Sequence, residues 1–273
     1  LPEQTFSEID AGREFDWGRT SRDYDRYRPG PPASFYLKLA ALDIGRPGQL
    51  VLDLGTGTGL VARQFARQGA LASGIDVSAD QIAMAQAAAA RESLSVEFRV
   101  APAEAIPFRR RSFDVISANQ CWLYFDTAKV LPEVCRVLKP GGRLLVSHFS
   151  FMPRLDPLVR ASEQLVLQFN PDWSGADWDG ELAAVPRWSR RNFDLVGLFV
   201  YDEAIPFTRE SWRGRMRALR GIAASLSEVE VEEFDRQHEA LLETLAGETF
   251  TVWHRLHAQI FCLKADAVSI ESE

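Results

Sequence analysis

Leu50-Val51-Leu52-Asp53-Leu54-Gly55-Thr56-Gly57-Thr58-Gly59 reads as a short buried strand that stops in a glycine turn. Four apolar residues around one Asp fit a strand better than a helix, and glycines at every second position end it. A helix pattern, Leu60 to Gln68, follows at once and Gly69 is placed to stop it. A turn of this kind needs glycine because φ is positive, because a ligand lies against the backbone, or because a neighbour packs close, since a Cβ obstructs all three. The helix that starts there offers unpaired N–H groups to a polar or anionic ligand.

Outward from this turn the pattern repeats. Ala70 to Ile75 is a second buried strand ending at Asp76, and Ser78 with Gln81 gives a capping-box spacing that opens an alanine-rich helix to about Arg91. Val96 to Val100 and Phe113 to Ala118 read as the third and fourth strands. A helix capped by Asp126 runs to Leu138, stops before Lys139-Pro140-Gly141-Gly142, and leads into a fifth strand, Arg143 to Ser147. Strands alternating with helices build a parallel sheet covered on both faces. Leu195 to Phe207 and Leu256 to Leu263 supply two more strands, so the expected fold is α/β and Rossmann-like, with a seven-stranded, mostly parallel sheet. Ser34 to Leu42 is a helix before the sheet, and Arg209 to Arg220 and Ser227 to Ala246 are helices before the last strand. The segment Phe151 to Trp188, with its prolines and tryptophans and no clean period, reads as a partly helical, aromatic lid insertion. The expected organisation is an N-terminal arm and helix over 1–48, a cofactor-binding core over 49–148, a lid over 149–192, and strands and helices completing the sheet over 193–273.

Composition narrows the function. With 273 residues, 46% of them hydrophobic, there is ample material for a core. A net charge of −7 argues against nucleic acid as a partner, and no stretch is long and apolar enough to span a bilayer. Leu1 in place of Met points to a trimmed or incomplete start, and no signal-peptide run is expected in the first dozen residues. A cytoplasmic protein, monomer or homodimer, acting on small molecules is expected. Cys121, Cys135 and Cys262 are too scattered for a disulfide framework or a zinc site, so no metal is expected.

In an open parallel sheet ligands bind beyond the carboxyl ends of the strands, where strand order reverses. The glycine turn and Asp76 then share one rim. Asp76 lies 17 residues after Gly59, where a carboxylate accepts both hydroxyls of a ribose. That requirement is common to dinucleotides and S-adenosylmethionine, but the Gly-x-Gly-x-Gly spacing departs from the dinucleotide pattern and no second nucleotide-binding half follows. Glu133-Val134-Cys135-Arg136-Val137-Leu138-Lys139-Pro140-Gly141-Gly142-Arg143-Leu144-Leu145-Val146 then resembles the class I S-adenosylmethionine-dependent methyltransferases, where a helix ends in such a turn into the fifth strand. Ser73-Gly74-Ile75-Asp76-Val77-Ser78, Ala103-Glu104-Ala105-Ile106-Pro107-Phe108 and Phe113-Asp114-Val115-Ile116 resemble further family motifs in the expected order. Tyr24-Asp25 and Tyr27-Arg28-Pro29 are similar to small-molecule members of the trans-aconitate methyltransferase-like branch.

The resemblance implies a methyl transfer from S-adenosylmethionine, leaving S-adenosylhomocysteine, to an O, N or C atom of a small acceptor. It implies that Gly55, Thr56, Gly57 and Gly59 line the methionine part of the cofactor with support from Asp53, that Asp76 holds the ribose, and that Val77, Ala103 and Glu104 border the adenine. Asn119 and Gln120 fall near the amino-acid portion, with Gln81 in the same cofactor set. Tyr27 and Arg28 either fold over a ligand or cover a sheet edge. Pro102 stands where relatives often carry an adenine-binding Asp, and Leu123-Tyr124 where many carry His-Trp. Positioning then suffices for transfer, with His148, just after the fifth strand, as the candidate base. Trp122, Tyr124, Phe149, Trp173 and Trp178 either wall an acceptor pocket under the lid or close the lid's own core. Arg209, Arg213, Arg215, Arg217 and Arg220 spread round more than one helix face, which reads as solvated surface. A catalytically silent cofactor-binding protein, or aminopropyl transfer or cyclisation at the same cofactor site, are the alternatives.

Overall fold

The computed structural model describes residues 6–183 and 185–265. Its strands are β1 (Leu50–Leu54), β2 (Leu71–Asp76), β3 (Glu97–Val100), β4 (Phe113–Asn119), β5 (Leu138–Phe151), β6 (Phe193–Thr208) and β7 (Thr249–Leu263). The helices are α1 (Ser21–Tyr27), α2 (Ala33–Ala41), α3 (Leu60–Arg67), α4 (Ala79–Arg91), α5 (Thr127–Val137), α6 (Pro157–Phe169), α7 (Arg209–Arg217) and α8 (Glu228–Leu245). The strands form one seven-stranded sheet in the order β3-β2-β1-β4-β5-β7-β6, and the ladders from β3 through β5 are parallel. The chain steps outward from β1 to β3 and returns on the other side of β1 as β4. The reversal of strand order therefore falls between β1 and β4, where an open α/β sheet takes its ligand.

Three differences from the sequence reading have local causes. The fifth strand runs from Leu138 to Phe151 rather than Arg143 to Ser147, because Phe113 pairs with Leu138 and Val115 with Arg143, leaving 139–142 as an outward bulge in a continuous strand. Gly142 fits there because a Cβ would come within 2.8 Å of the Lys139 carbonyl oxygen. The last strand begins at Thr249 instead of Leu256, and the stretch before Pro29 folds into a 3-10 turn, Trp17–Thr20, and α1.

The described residues group into two compact units of three segments each, cutting across the four-part linear order read from the sequence. One, the sheet unit, comprises 30–149, 182–200 and 256–265; the other, the helical unit, comprises 6–29, 150–181 and 201–255. In the sheet unit Leu52, Leu54, Ile75, Ile116, Val130, Val134 and Phe261 belong to one buried cluster. Around α2 and α3, Tyr36 and Phe65 meet edge to face at 5.8 Å, and Phe35 meets Phe199 at the same separation.

In the helical unit α1 lies on α7. The Tyr27 ring rests on Gly214, where a Cβ would approach within 2.0 Å of it, and Arg217 bonds Asp23 at 2.8 Å. The Ser162 hydroxyl of α6 accepts the Trp212 indole N–H at 3.1 Å and meets His238 Nε2 at 3.0 Å, joining three helices through buried polar atoms. Both halves of the capping box at Ser227 and Glu230 are present, as the sequence spacing requires. At Ser78 the hydroxyl accepts the Gln81 N–H, while the Gln81 side chain is buried.

Candidate functional site

The site is built from β1, β2 and β4, all in the sheet unit. Parallel register sets Asp53 opposite Gly74 on one side and Ser117 on the other, so the chain leaves β1 at Gly55 level with Asp76 at the end of β2. Gly55, Gly57 and Gly59 all have positive φ, 56°, 55° and 78°. Their side-chain directions are not all open. A Cβ on Gly55 would lie 2.8 Å from Cys121 Cβ, and one on Gly59 would lie 2.7 Å from the Phe98 ring. These two glycines are required by packing as well as by backbone conformation, and what they offer a ligand is main chain.

The two carboxylates divide the work. Asp53 is buried, and both of its oxygens are taken, one by the Ser117 hydroxyl at 2.6 Å and one by the Thr56 hydroxyl at 2.7 Å. Burial pushes its pKa up to about 6 against these two hydrogen bonds, and the nearby Asp76 charge adds to the rise. Asp53 is thereby a brace between β4 and the turn. Thr56 in turn donates its N–H to the Ile75 carbonyl and covers Gly74, where a Cβ would meet its hydroxyl at 2.7 Å.

Asp76 is half-buried and faces the turn. It accepts the Gly57 N–H at 2.9 Å and the Ser78 N–H at 2.9 Å, one on each oxygen. Burial raises its pKa, opposed by these backbone donors. An ionised carboxylate has about four lone-pair sites, so acceptor capacity remains beside these backbone donors for a ligand hydroxyl. The residues fit an adenosyl ligand on three observations: a carboxylate with spare acceptor capacity, a side-chain-free main chain bonded to it, and Val77 beside it, 67% exposed and available to a flat apolar ring. The Thr58 hydroxyl, fully buried, has no hydrogen-bond partner among the described residues.

The loop after β3 is held from α5. Glu104 accepts the Asp126 N–H at 2.9 Å, and Glu133 accepts the Ile106 N–H at 2.7 Å. Arg136, bound to Glu133, donates to the carbonyls of Ile106 and Phe108 at 2.8 and 2.7 Å. Sequence reading gave Glu133 and Arg136 no role; their i, i+3 spacing ahead of the bulge was the available signal. Ala103 is buried in the core cluster. Asn119 ends β4 and Gln120 follows it, both half-buried, with Asn119 Oδ1 accepting from the Ser147 hydroxyl at 3.0 Å and Gln120 at φ 59°. The Cys121 thiol donates to the Leu54 carbonyl at 3.1 Å, and burial pushes its pKa up, which makes it a packing residue under Gly55.

The remaining expected site residues have the following surroundings, each within its own unit. Tyr27 and Arg28 belong to the helical unit, where the Tyr27 hydroxyl donates to Glu210 at 2.8 Å and Arg28 lies over the Tyr24 ring at 4.7 Å. The proposed aromatic wall is largely core. Trp122 is buried against Trp188, ring centres 4.5 Å apart, and Phe149 is buried. Trp173 is wedged between Gly175 and Gly221, where Cβ atoms would lie within 2.7 Å of it. Tyr124 and Trp178 are half-buried. His148 lies within β5 rather than just after it, because the strand continues to Phe151; it is half-buried, its ring 6.3 Å from that of His257, and burial and then His257 push its pKa down to about 4. The arginines of 209–220 are not a solvated surface: Arg213 and Arg217 share Asp235, Arg220 is paired with buried Asp10, and Arg215 is buried. Among the described residues no cluster of metal-ligating side chains occurs.

Residues 52–146 match the family described as Methyltransferase domain. The demethylmenaquinone methyltransferase of Tropheryma whipplei (strain Twist) is 31% identical over 179 residues, covering 55% of this chain and 73% of that protein. The ubiquinone/menaquinone biosynthesis C-methyltransferase UbiE of Vibrio campbellii is 41% identical over 122 residues, 42% of this chain and 46% of that one. Among solved structures, phosphoethanolamine N-methyltransferase 2 of Haemonchus contortus, in complex with phosphomonomethylethanolamine and S-adenosylhomocysteine, superposes with a TM-score of 0.52 at 20% identity, over 95% of this chain and 60% of that one. Sequence likeness across most of a curated methyltransferase, centred on the strands that carry the glycine turn and Asp76, means that the chain belongs to the class I S-adenosylmethionine-dependent methyltransferases, enzymes that pass a methyl group from that cofactor to an acceptor, here a small molecule.

Proposed function

We propose that Asp76 grips the ribose hydroxyls of S-adenosylmethionine, that the 55–59 main chain faces its methionine part, and that Val77 and the Ala103–Glu104 backbone flank the adenine. Asn119 and Gln120 then face the amino-acid end, with Gln81 and Asp53 supporting the rim from beneath. The observation that carries this reading is the hydrogen bond from Gly57 N to Asp76, 2.9 Å, which locks the turn and the carboxylate into one unit before any ligand arrives. Tyr27 and Arg28 are left out of the cofactor set, because the Tyr27 ring and hydroxyl are engaged by Gly214 and Glu210.

The cofactor, when bound, supplies a methyl group already activated on a sulfonium. The chain contributes alignment of the acceptor atom in line with the breaking bond and exclusion of water. His148 is neutral at pH 7, and with a pKa near 4 it is a weak base, so it takes a proton only from an acceptor atom that becomes acidic as it gains the methyl group. Alignment therefore carries the reaction. Tyr124, one turn beyond β4, is the aromatic residue proposed to meet the acceptor. Two of the named relatives carry quinone names, which makes ring compounds with a free O or C position the first acceptors to try.

The compartment proposed is the cytoplasm and the assembly a monomer or homodimer; no described helix is long and apolar enough to cross a membrane. The test is calorimetric titration with S-adenosylhomocysteine, followed by acceptor screening read by product mass. Binding together with a product heavier by one CH₂ unit supports the reading. A folded protein that binds no S-adenosylhomocysteine overturns it.

A further inference from the structure

Four of the five arginines between 209 and 220 have partners within the helical unit. Arg209 donates to the Ala246 and Gly247 carbonyls. Arg213 and Arg217 share Asp235, with Glu239 and Asp23 as further partners, and Arg220 is held by Asp10 at 2.6 Å. Arg215 is different. It is 4% exposed, makes no hydrogen bond or ion pair among the described residues, and its Nη1 is buried without a partner.

What surrounds Arg215 does not offset its burial. Its guanidinium carbon lies 5.2 Å from the centre of the Phe151 ring, a contact worth about 2 kcal/mol when desolvated, against a penalty of several kcal/mol for taking an ion out of water. Arg28, stacked on Tyr24, places a second positive charge close enough to oppose it. Burial first and Arg28 second bring the Arg215 pKa down to about 9, which leaves it charged at neutral pH. His254 nearby cannot compensate. It is buried and kept neutral, its pKa pushed down to about 3 by burial and then by Arg215 and Arg28. Tyr24 acts in the opposite sense, and among the described residues no carboxylate forms an ion pair with Arg215.

We propose that Arg215, with Arg28 beside it, is an anion-binding site within the helical unit, and that its ligand is a small-molecule oxyanion, a carboxylate or phosphate group received by the guanidinium fork. A planar guanidinium accepts such a group through two parallel N–H···O bonds, and a buried site strengthens them. The site is assigned independently of the cofactor site.

The test uses the full chain in buffer free of oxyanions, with sodium chloride as the ionic-strength control, and inorganic phosphate, acetate, succinate and phosphoethanolamine as probes. For the wild type, at least one probe should raise the thermal midpoint by about 3 °C or more at saturation and show saturable heat in calorimetry. Arg215→Met removes a buried unpaired charge, so its midpoint in the anion-free buffer should rise while the response to the probe disappears. Arg215→Lys keeps the charge but loses the fork, and should bind the probe at least 10-fold more weakly. Succinate or phosphoethanolamine binding more tightly than acetate or phosphate assigns the oxyanion to a larger organic ligand; equal binding assigns it to a free anion. S-adenosylhomocysteine titration of Arg215→Met should match the wild type, which keeps failure here separate from failure of the cofactor reading. No wild-type response to any probe, an equal response in Arg215→Met, or an Arg215→Met protein less stable than wild type without anions would each overturn the proposal.

Discussion

Asp53 and Asp76 are the same side chain at neighbouring strand ends, and their surroundings give them opposite tasks. Asp76 keeps acceptor capacity toward the rim, so Asp76→Ala should weaken S-adenosylhomocysteine binding by about 100-fold or more, the loss of two hydrogen bonds to a charged group at roughly 1.5–3 kcal/mol each. Titration calorimetry checks this, and a change below threefold would remove Asp76 from the ribose role. Asp53 acts on stability instead. Its folded pKa of about 6 lies above the ordinary carboxylate value near 3.9, so the folded state holds this proton more tightly than the unfolded chain. The stabilisation from this group is complete below about pH 4 and is lost as pH rises through about 6. Asp53→Asn should therefore gain stability relative to wild type across that window, by on the order of 2 kcal/mol. Urea midpoints from pH 4 to 8 read the difference; parallel curves for the two proteins would refute the assignment. Asp76 and Gly57, 19 residues apart, were legible in the sequence because each follows from the pattern of its own strand, one at the end of β2 and one in the turn after β1. Arg215 and Trp173 were not, because their neighbours, Phe151 for one and Gly221 for the other, arrive from 64 and 48 residues away.

At the scale of elements, the turns and caps written into short spacings were readable, and the braces between elements were not. Ser227 with Glu230 announces a helix start by itself, since both partners lie within one turn. The bulge at 139–142 was legible as a break but not as part of a strand, because only pairing with Phe113 and Val115 shows that the strand continues across it. Arg136 is the clearest brace that sequence spacing left unassigned. It satisfies the Ile106 and Phe108 carbonyls while bound to Glu133, which itself holds the Ile106 N–H. Arg136→Met keeps the side-chain stem but strands two carbonyls and a carboxylate. The expected cost is about 2 kcal/mol of stability, with S-adenosylhomocysteine binding weakened several-fold through the loosened 103–108 loop. Denaturant unfolding and calorimetry on the same variant test both parts; unchanged binding in a destabilised protein would show that this loop does not meet the cofactor.

At the scale of the whole chain, linear order and spatial grouping part company. Each compact unit gathers three separated segments, and β5, β6 and β7 each contribute residues to both. The alternating pattern from Leu50 to Ser147 was readable because it lies within one unit and each crossover returns to the same sheet. The remainder was not, because 150–181 and 201–255 group with residues 6–29 from the far end of the sequence. This division makes a prediction about where cofactor binding is felt. A ligand that binds only the folded state lowers the frequency of local opening chiefly where it makes contact. Every residue proposed here for the cofactor belongs to the sheet unit. Saturating S-adenosylhomocysteine should slow amide hydrogen exchange in 54–60, 75–81, 101–106 and 118–121, with the Gly57 and Ser78 amides most protected because both already bond to Asp76. Exchange in α1, α6 and α8 should change little. Protection across 21–28 equal to that at the glycine turn would return Tyr27 and Arg28 to the cofactor set, and uniform protection of both units would show that binding stabilises the chain as one cooperative body.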